Sequence, residues 1–395
     1  MSPRITLLLM LGVDAFILFF EASTLSISAH EAYIFFDAQN FVHYLVNASV
    51  NLFGHNDFAL RSPMIILHLF SAVLLYLNSR SYLKRDTDRL WLVLVFMLLP
   101  GVVSSALMVD SAGIMIFYLF FLHYLYQQRS QLVPFVLPLF LLLDSGSLFL
   151  YFALFIYALH RSNRYFMIEN GILFIVAFIL YGFDTMGRPS GHFLDVLGLY
   201  ATIFSPIVFL FMVYVIYRKI VVKEYDITLY VGGIVFLLSL LLSFRQVIHI
   251  EHFAPYMMLL LPLVAQTFFN SYRVRLRPFR KRYRWLLGIG FSMLALHFLL
   301  LLFNKGLYLY LDEPQRNFVY RMHIVKELAV SLKDQNVNCV YTANGKLQNR
   351  LKFYGIAKCE ENLLESSDLS TKSDVTIRYM GQKVAAFNVT KVHNY

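Results

Sequence analysis

The sequence predicts an α-helical polytopic membrane protein with about eleven transmembrane helices. Amphipathic helices are expected in its first outer loop, and a small α/β domain outside the membrane at its C-terminus. Three observations lead there. Of the 395 residues, 58% are hydrophobic and 15% charged, whereas a soluble domain carries roughly 25% charged residues to cover its surface. Apolar runs close to the ~20 residues needed to span a bilayer recur as far as residue 303. Beyond residue 306 the composition turns abruptly to that of a soluble domain.

The runs place spanning helices near 5–24, 63–79, 90–108, 111–127, 132–144, 147–160, 166–183, 195–217, 227–243, 253–270 and 285–303. Residues 132–144 and 147–160 are short for spans and read equally as a re-entrant pair. The first run imitates a signal peptide, with Arg4 ahead of it and Ser26-Ile27-Ser28-Ala29 resembling a cleavage site. The stretch from Ile5 to Phe20 is long for a signal segment and Asp14 interrupts it, so it reads as the first spanning helix.

Loop charges set the orientation, because cytoplasmic loops are rich in Lys and Arg. With the N-terminus inside, the cytoplasmic segments hold eighteen Lys and Arg, and the short outer loops hold three: Arg61, Arg188 and Arg245. The net charge of +10 is therefore a membrane signature, and no nucleic-acid partner is expected. The run Arg273, Arg275, Arg277, Arg280, Lys281, Arg282, Arg284 reads as a topology anchor touching anionic membrane lipid. A bacterial inner membrane is the expected location.

Residues 1–305 form the transmembrane module and 306–395 the external domain. Strands are expected at Asn338–Tyr341, Ile356–Cys359, Val375–Tyr379 and Val384–Val389, with a short helix or turn at Lys346–Phe353. Cys339 and Cys359 fall in an oxidising compartment under this topology. Whether they pair depends on a Cα separation that sequence does not give.

The outer loop 25–62 is no flexible linker. Ala32, Phe35, Phe36, Val42, Leu45, Leu52 and Phe53 recur with helical spacing, giving one or two amphipathic helices at the membrane surface. Gly54-His55-Asn56-Asp57 marks the turn that ends them, and Pro63 the start of the next helix. Glu31 reads either as a helix N-terminal carboxylate or as a reactive group, and Asp57 as a turn residue.

This passage resembles the start of the GT-C class of membrane glycosyltransferases, in the branch of aminoarabinose transferases and protein O-mannosyltransferases. His30-Glu31-Ala32-Tyr33 matches the family's acidic pair after helix one. Leu52-Phe53-Gly54 matches its turn, and Leu60-Arg61-Ser62-Pro63 the entry to helix two. Asp110, in Met108-Val109-Asp110-Ser111, matches the acidic residue of the second outer loop. Leu351-Lys352-Phe353-Tyr354-Gly355 is similar to a segment of the family's external domain. One departure stands out: His30 occupies the place of the family's first acidic residue.

The resemblance implies a polyprenyl-phosphate-linked sugar donor and an envelope acceptor, which is lipid A, a glycan or a protein. Such a transfer needs a base near the acceptor and positive charge near the leaving phosphate. Glu31, Asp110 and His30 are the candidates for the first role. Arg61, Arg245, His249 and His252 are those for the second, the last three sharing a face if their segment is helical. A divalent metal held by His249, His252 and a carboxylate is an alternative use of that segment. Asp14, mid-membrane, is expected to hydrogen-bond a neighbouring helix, with Glu21 nearer the site. The competing classes are a lipid or solute transporter, against which no inverted repeat is visible, and an inactive assembly protein. On this reading Glu31→Gln abolishes product and leaves the fold intact.

Overall fold

The structure is a computed structural model that describes residues 2–143, 145–182, 191–369 and 373–391. Arg188, and the ends of two expected helices at 144 and 183, lie outside the described residues.

The chain begins with α1 (Pro3–Thr24). Ser28 starts α2 (Ala29–Phe36) through a capping box: its hydroxyl accepts from the Glu31 N–H, and the Glu31 carboxylate accepts from the Ser28 N–H. Asn40 caps α3 (Phe41–Phe53), and Gly54, at φ +86°, ends it in a conformation that favours glycine. The loop thus holds two helices. The next helix, α4 (Asp57–Asn78), starts earlier than expected, with Pro63 inside it. Proline strips the Ala59 carbonyl of its helical donor. The hydroxyls of Ser49 and Ser62 replace it, at 2.6 and 3.2 Å.

The expected helix 253–270 is interrupted at residues 259–260, and two other expected single helices are bent sharply, each at a proline. α5 (Asp86–Leu98) and α6 (Pro100–Leu107) meet at 61°, and α11 (Phe193–Phe204) and α12 (Pro206–Val222) at 108°. The second bend also needs Ser205 at φ +64°. Between these pairs lie α7 (Ser111–Gln127), the short α8 (Val133–Val136) with a 3-10 turn, α9 (Ser147–His160) and α10 (Arg164–Tyr181). After them come α13 (Ile227–Ser243), α14 (Ala254–Met258), α15 (Leu261–Val274) and α16 (Arg277–Leu302). Among the described residues four helices are long and apolar enough to cross a membrane, or six if each bent pair is one span. Four further apolar helices are shorter than 18 residues.

The chain divides into two compact units. The first is Met1–Phe16, Met64–Ala106 and Asp110–Phe298. The second is Ile17–Pro63, Leu107–Val109 and Leu299–Tyr395, so the first outer loop groups with the C-terminal domain rather than with the helices. In the first unit the core is aromatic and aliphatic, and several of its polar groups find partners on neighbouring helices. Asp14 and His68 pair at 2.7 Å, Tyr200 and Ser239 at 2.8 Å, and the Asn78 amide donates to the Phe120 carbonyl at 2.9 Å.

In the second unit, α17 (Arg321–Asp334), α18 (Gly345–Phe353) and a four-stranded sheet make the domain. The strands are β1 (Cys339–Tyr341), β2 (Ala357–Ser366), β3 (Val375–Tyr379) and β4 (Gln382–Lys391), in the order β1-β2-β4-β3. β1 and β2 are parallel and joined through α18; the other pairs are antiparallel. α17 was not expected, although Ile324, Val325, Leu328, Ala329 and Leu332 form one buried face at helical spacing. Cys339 and Cys359 are bridged, with Cα atoms 5.5 Å apart.

Candidate active site

The second unit is organised around one buried ion pair. Arg61, in the first turns of α4, and Glu31, in the first turn of α2, are both 0% exposed. Arg61 Nε donates to Glu31 Oε1 at 3.1 Å and Nη2 to Oε2 at 2.9 Å. The remaining donors reach the carbonyls of Ala22 and Leu25 from Nη1, at 3.0 and 2.7 Å, and of Ser26 from Nη2, at 3.0 Å. All five N–H donors of the guanidinium are thus used. Glu31 also accepts from the Ser28 N–H at 2.7 Å and the Val109 N–H at 3.2 Å. A charge pair this deep stands only because every lone pair and proton is met.

That geometry bears directly on two expectations. Arg61 as a phosphate ligand and Glu31 as a proton acceptor both need open side chains, and here neither is open. The pair is the internal strut of the loop.

A second layer ties the loop to the C-terminal domain, within the same unit. Asp57, expected as a plain turn residue, is 3% exposed. It accepts from the Tyr354 hydroxyl at 2.6 Å and pairs with Lys326 at 2.8 Å. The Tyr354 oxygen also accepts from the Ile27 N–H at 2.8 Å. Burial, and then the Asp57 carboxylate, push the Tyr354 phenol well above its usual range. Arg350 donates to the Ile27 carbonyl at 2.8 Å and to that of Arg321. Burial lowers Arg350 to about 10. The Phe353 ring sits 4.8 Å from that of His55 and 5.4 Å from that of Phe35. Three short motifs distant in sequence, around Glu31, Arg61 and Phe353-Tyr354, therefore fold into one cluster.

His30, beside Glu31, is exposed. Glu21, expected nearer the site, is buried and accepts from the Asn304 amide at 2.9 Å.

The other candidates belong to the first unit. Asp110 is the N-cap of α7, its carboxylate accepting from the Ser111 N–H at 2.6 Å. A 3-10 turn, Ile250–His252, packs against α7. Gly146 lies in the same place: a Cβ there would meet the end of the Met115 side chain of α7 at 2.8 Å and the His252 carbonyl at 3.2 Å, so the space is tight. The segment from Arg245 to His249 is not helical, because α13 ends at Ser243. The expected shared face of Arg245, His249 and His252 does not form. The rings of His249 and His252 are instead neighbours at 6.1 Å, and Glu251 contacts His249 at 3.2 Å. Arg245 and His249 are exposed. Among the described residues no three His, Cys, Asp or Glu side chains are grouped to hold a metal ion.

Comparison with solved structures finds this architecture again. A crystal structure of ArnT from Cupriavidus metallidurans bound to undecaprenyl phosphate matches with a TM-score of 0.54 at 13% identity. The match covers 88% of this chain and 74% of that one. The apo ArnT structure matches with the same TM-score at 12% identity, over 89% and 75%. The fold is that of these ArnT structures. Neither a protein-family model nor a curated protein matches the sequence.

Sequence reasoning missed the roles of Asp57, Lys326, Arg350 and Tyr354 in the cluster. Only the Phe353-Tyr354 pair carried a signal, through the family resemblance.

Proposed function

We propose that this chain is a membrane glycosyltransferase that moves a sugar from a polyprenyl-phosphate-linked donor to a hydroxyl of an envelope acceptor: lipid A, another glycan or a protein. The observation that carries the reading is the ArnT fold over 88% of the chain, one of the matching ArnT structures being bound to undecaprenyl phosphate. The folding of the loop motifs and of Phe353-Tyr354 into one cluster supports it. The charge asymmetry of the loops supports an N-terminus in the cytoplasm and a C-terminal domain outside, and the Cys339–Cys359 bridge fits an oxidising compartment.

In this reading the acceptor oxygen attacks the anomeric carbon and the bond to the lipid phosphate breaks. The bonding pair leaves with the phosphate, and the acceptor proton passes to a base. Asp110 takes the proton or orients the acceptor, with His30 the alternative at the start of α2. Arg245, His249 and His252 offset the charge on the leaving phosphate. Glu31 and Arg61 act at one remove, by holding the loop in shape.

A second reading, a non-catalytic assembly protein, is favoured by two observations: Glu31 is saturated, and His30 stands where the family carries an acid.

The test uses the purified full chain in nanodiscs, with polyprenyl-phosphate-linked sugars and membranes from its host. Mass spectrometry follows the donor lipid. Conversion to polyprenyl phosphate, lost in Asp110→Asn at an unchanged unfolding temperature, supports the transferase. Donor left intact by a folded protein supports the second reading.

A further inference from the structure

The arginine-rich end of the first unit contains a groove of about 980 Å³, between α5, α12, α15 and α16. This is the upper end of the size of small-molecule sites. Its walls are apolar and aromatic, with Trp91, Phe211, Phe268 and Phe291 among them. Its charged residues are mostly basic: Arg85, Arg273, Arg280 and Arg284, with Asp88 the one carboxylate in the lining.

The local bonds show which of these charges are already neutralised. Arg273 pairs with Asp88, whose side chain is 6% exposed. Arg280 donates to the carbonyls of Arg273 and Arg275, closing the end of α15 at 3.0 and 2.8 Å. Among the described residues no carboxylate pairs with Arg85, Arg280 or Arg284. An apolar slot with three such cations along it carries an excess of positive charge that no described carboxylate balances.

We infer that this groove is a binding site for an anionic bilayer phospholipid, one acyl chain lying along the aromatic wall and the head-group phosphate against Arg85 and Arg284, with Arg280 beside them. The charge complementarity selects the head group, because guanidinium pairs well with phosphate and a zwitterionic lipid returns a positive charge to the same place. The apolar wall selects a ligand with a tail over free phosphate. The site is separate from Asp110 and from the 245–252 segment, and does not depend on which reaction the protein performs.

The test is electron spin resonance of chain-labelled lipids around the full-length protein in phosphatidylcholine nanodiscs. Spin-labelled phosphatidylglycerol is expected to bind about tenfold more strongly than spin-labelled phosphatidylcholine. The double variant Arg85→Gln/Arg284→Gln is expected to remove that preference, while Arg164→Gln/Lys223→Gln, which removes as much charge outside the groove, retains it. A second variant keeps every charge: Gly288 lines the groove and has open space at its Cβ position, so Gly288→Trp fills the slot and is expected to abolish binding. Equal affinity for both lipids, or a preference that survives in the arginine variant or in Gly288→Trp, overturns the site. Displacement of phosphatidylglycerol by equimolar polyprenyl phosphate overturns the assignment to a bilayer phospholipid.

Discussion

Glu31 and Arg61 meet through two hydrogen bonds of 3.1 and 2.9 Å with both side chains fully buried. The pair joins the start of α2 to the start of α4, and through three backbone carbonyls it also fixes the end of α1 and the chain that follows it. A residue that looks reactive by its place in the chain is here buried and paired within the loop.

Glu31→Gln is therefore expected to destabilise the protein, and not merely to silence it. Removing one member of a buried pair leaves an uncompensated guanidinium and costs about 3–5 kcal/mol. Thermal unfolding of the purified variant checks this. The double variant Glu31→Gln/Arg61→Met is expected to recover part of the loss, since the stranded charge is gone. A single variant that unfolds with wild type would return Glu31 to the list of reactive groups.

Tyr354→Phe deletes one hydroxyl that serves two partners, the Asp57 carboxylate and the Ile27 N–H. The expected cost is about 1–3 kcal/mol, because a buried acceptor and a buried donor are left short. Lys326 still holds Asp57 at 2.8 Å, so the loop loosens rather than unfolds. Faster proteolysis within residues 25–62, at unchanged protection of the helical segments, is the signature.

His323 gives the external domain a pH dependence. Its ring is buried, with Nδ1 against the Tyr308 hydroxyl at 2.8 Å. Burial, and then the charge of Lys305, lower it from 6.5 to about 4. Between those values the unfolded chain binds the proton and the folded chain does not, so stability rises with pH through that window. The contribution is complete above pH ~6.5 and is lost as pH falls towards ~4. His323→Gln is expected to flatten this slope in urea titrations at pH 4.5 and 7. An unchanged slope would mean that His323 does not control it.

The Cys339–Cys359 bridge closes a loop with a sequence separation of 20. Loop-closure entropy makes it worth about 3 kcal/mol. Alkylation of the denatured protein with and without reductant is expected to add two labels only after reduction, and Cys339→Ser/Cys359→Ser to lower the unfolding temperature.

Much of the fold was legible because its signals are local. Apolar length placed the long helices, the alternation of Val375 and Ile377 placed β3, and Gly54 placed the end of α3. The breaks at Pro100 and Pro206 were less visible, since a helix that is apolar on every side has no periodicity to interrupt. The prolines alone did not say whether the chain would kink or turn, as Pro63, which sits inside α4 with its carbonyl partner satisfied by serines, makes plain. In the candidate site the sequence singled out Glu31 and Arg61 but not their relation. Asp57 looked like a turn residue because its partners, Lys326 and Tyr354, lie at the other end of the chain. Helical spacing grouped Arg245, His249 and His252, and failed because α13 ends at Ser243.

The most direct test of the central claim is mass spectrometry of envelope glycans and lipid A from three strains: wild type, a deletion, and the deletion carrying Asp110→Asn. The account predicts that one defined sugar mass, present in wild type, is missing from both mutants, with the variant protein present in the membrane at normal level. Identical profiles in all three strains would contradict it and leave an assembly role as the better reading of this fold.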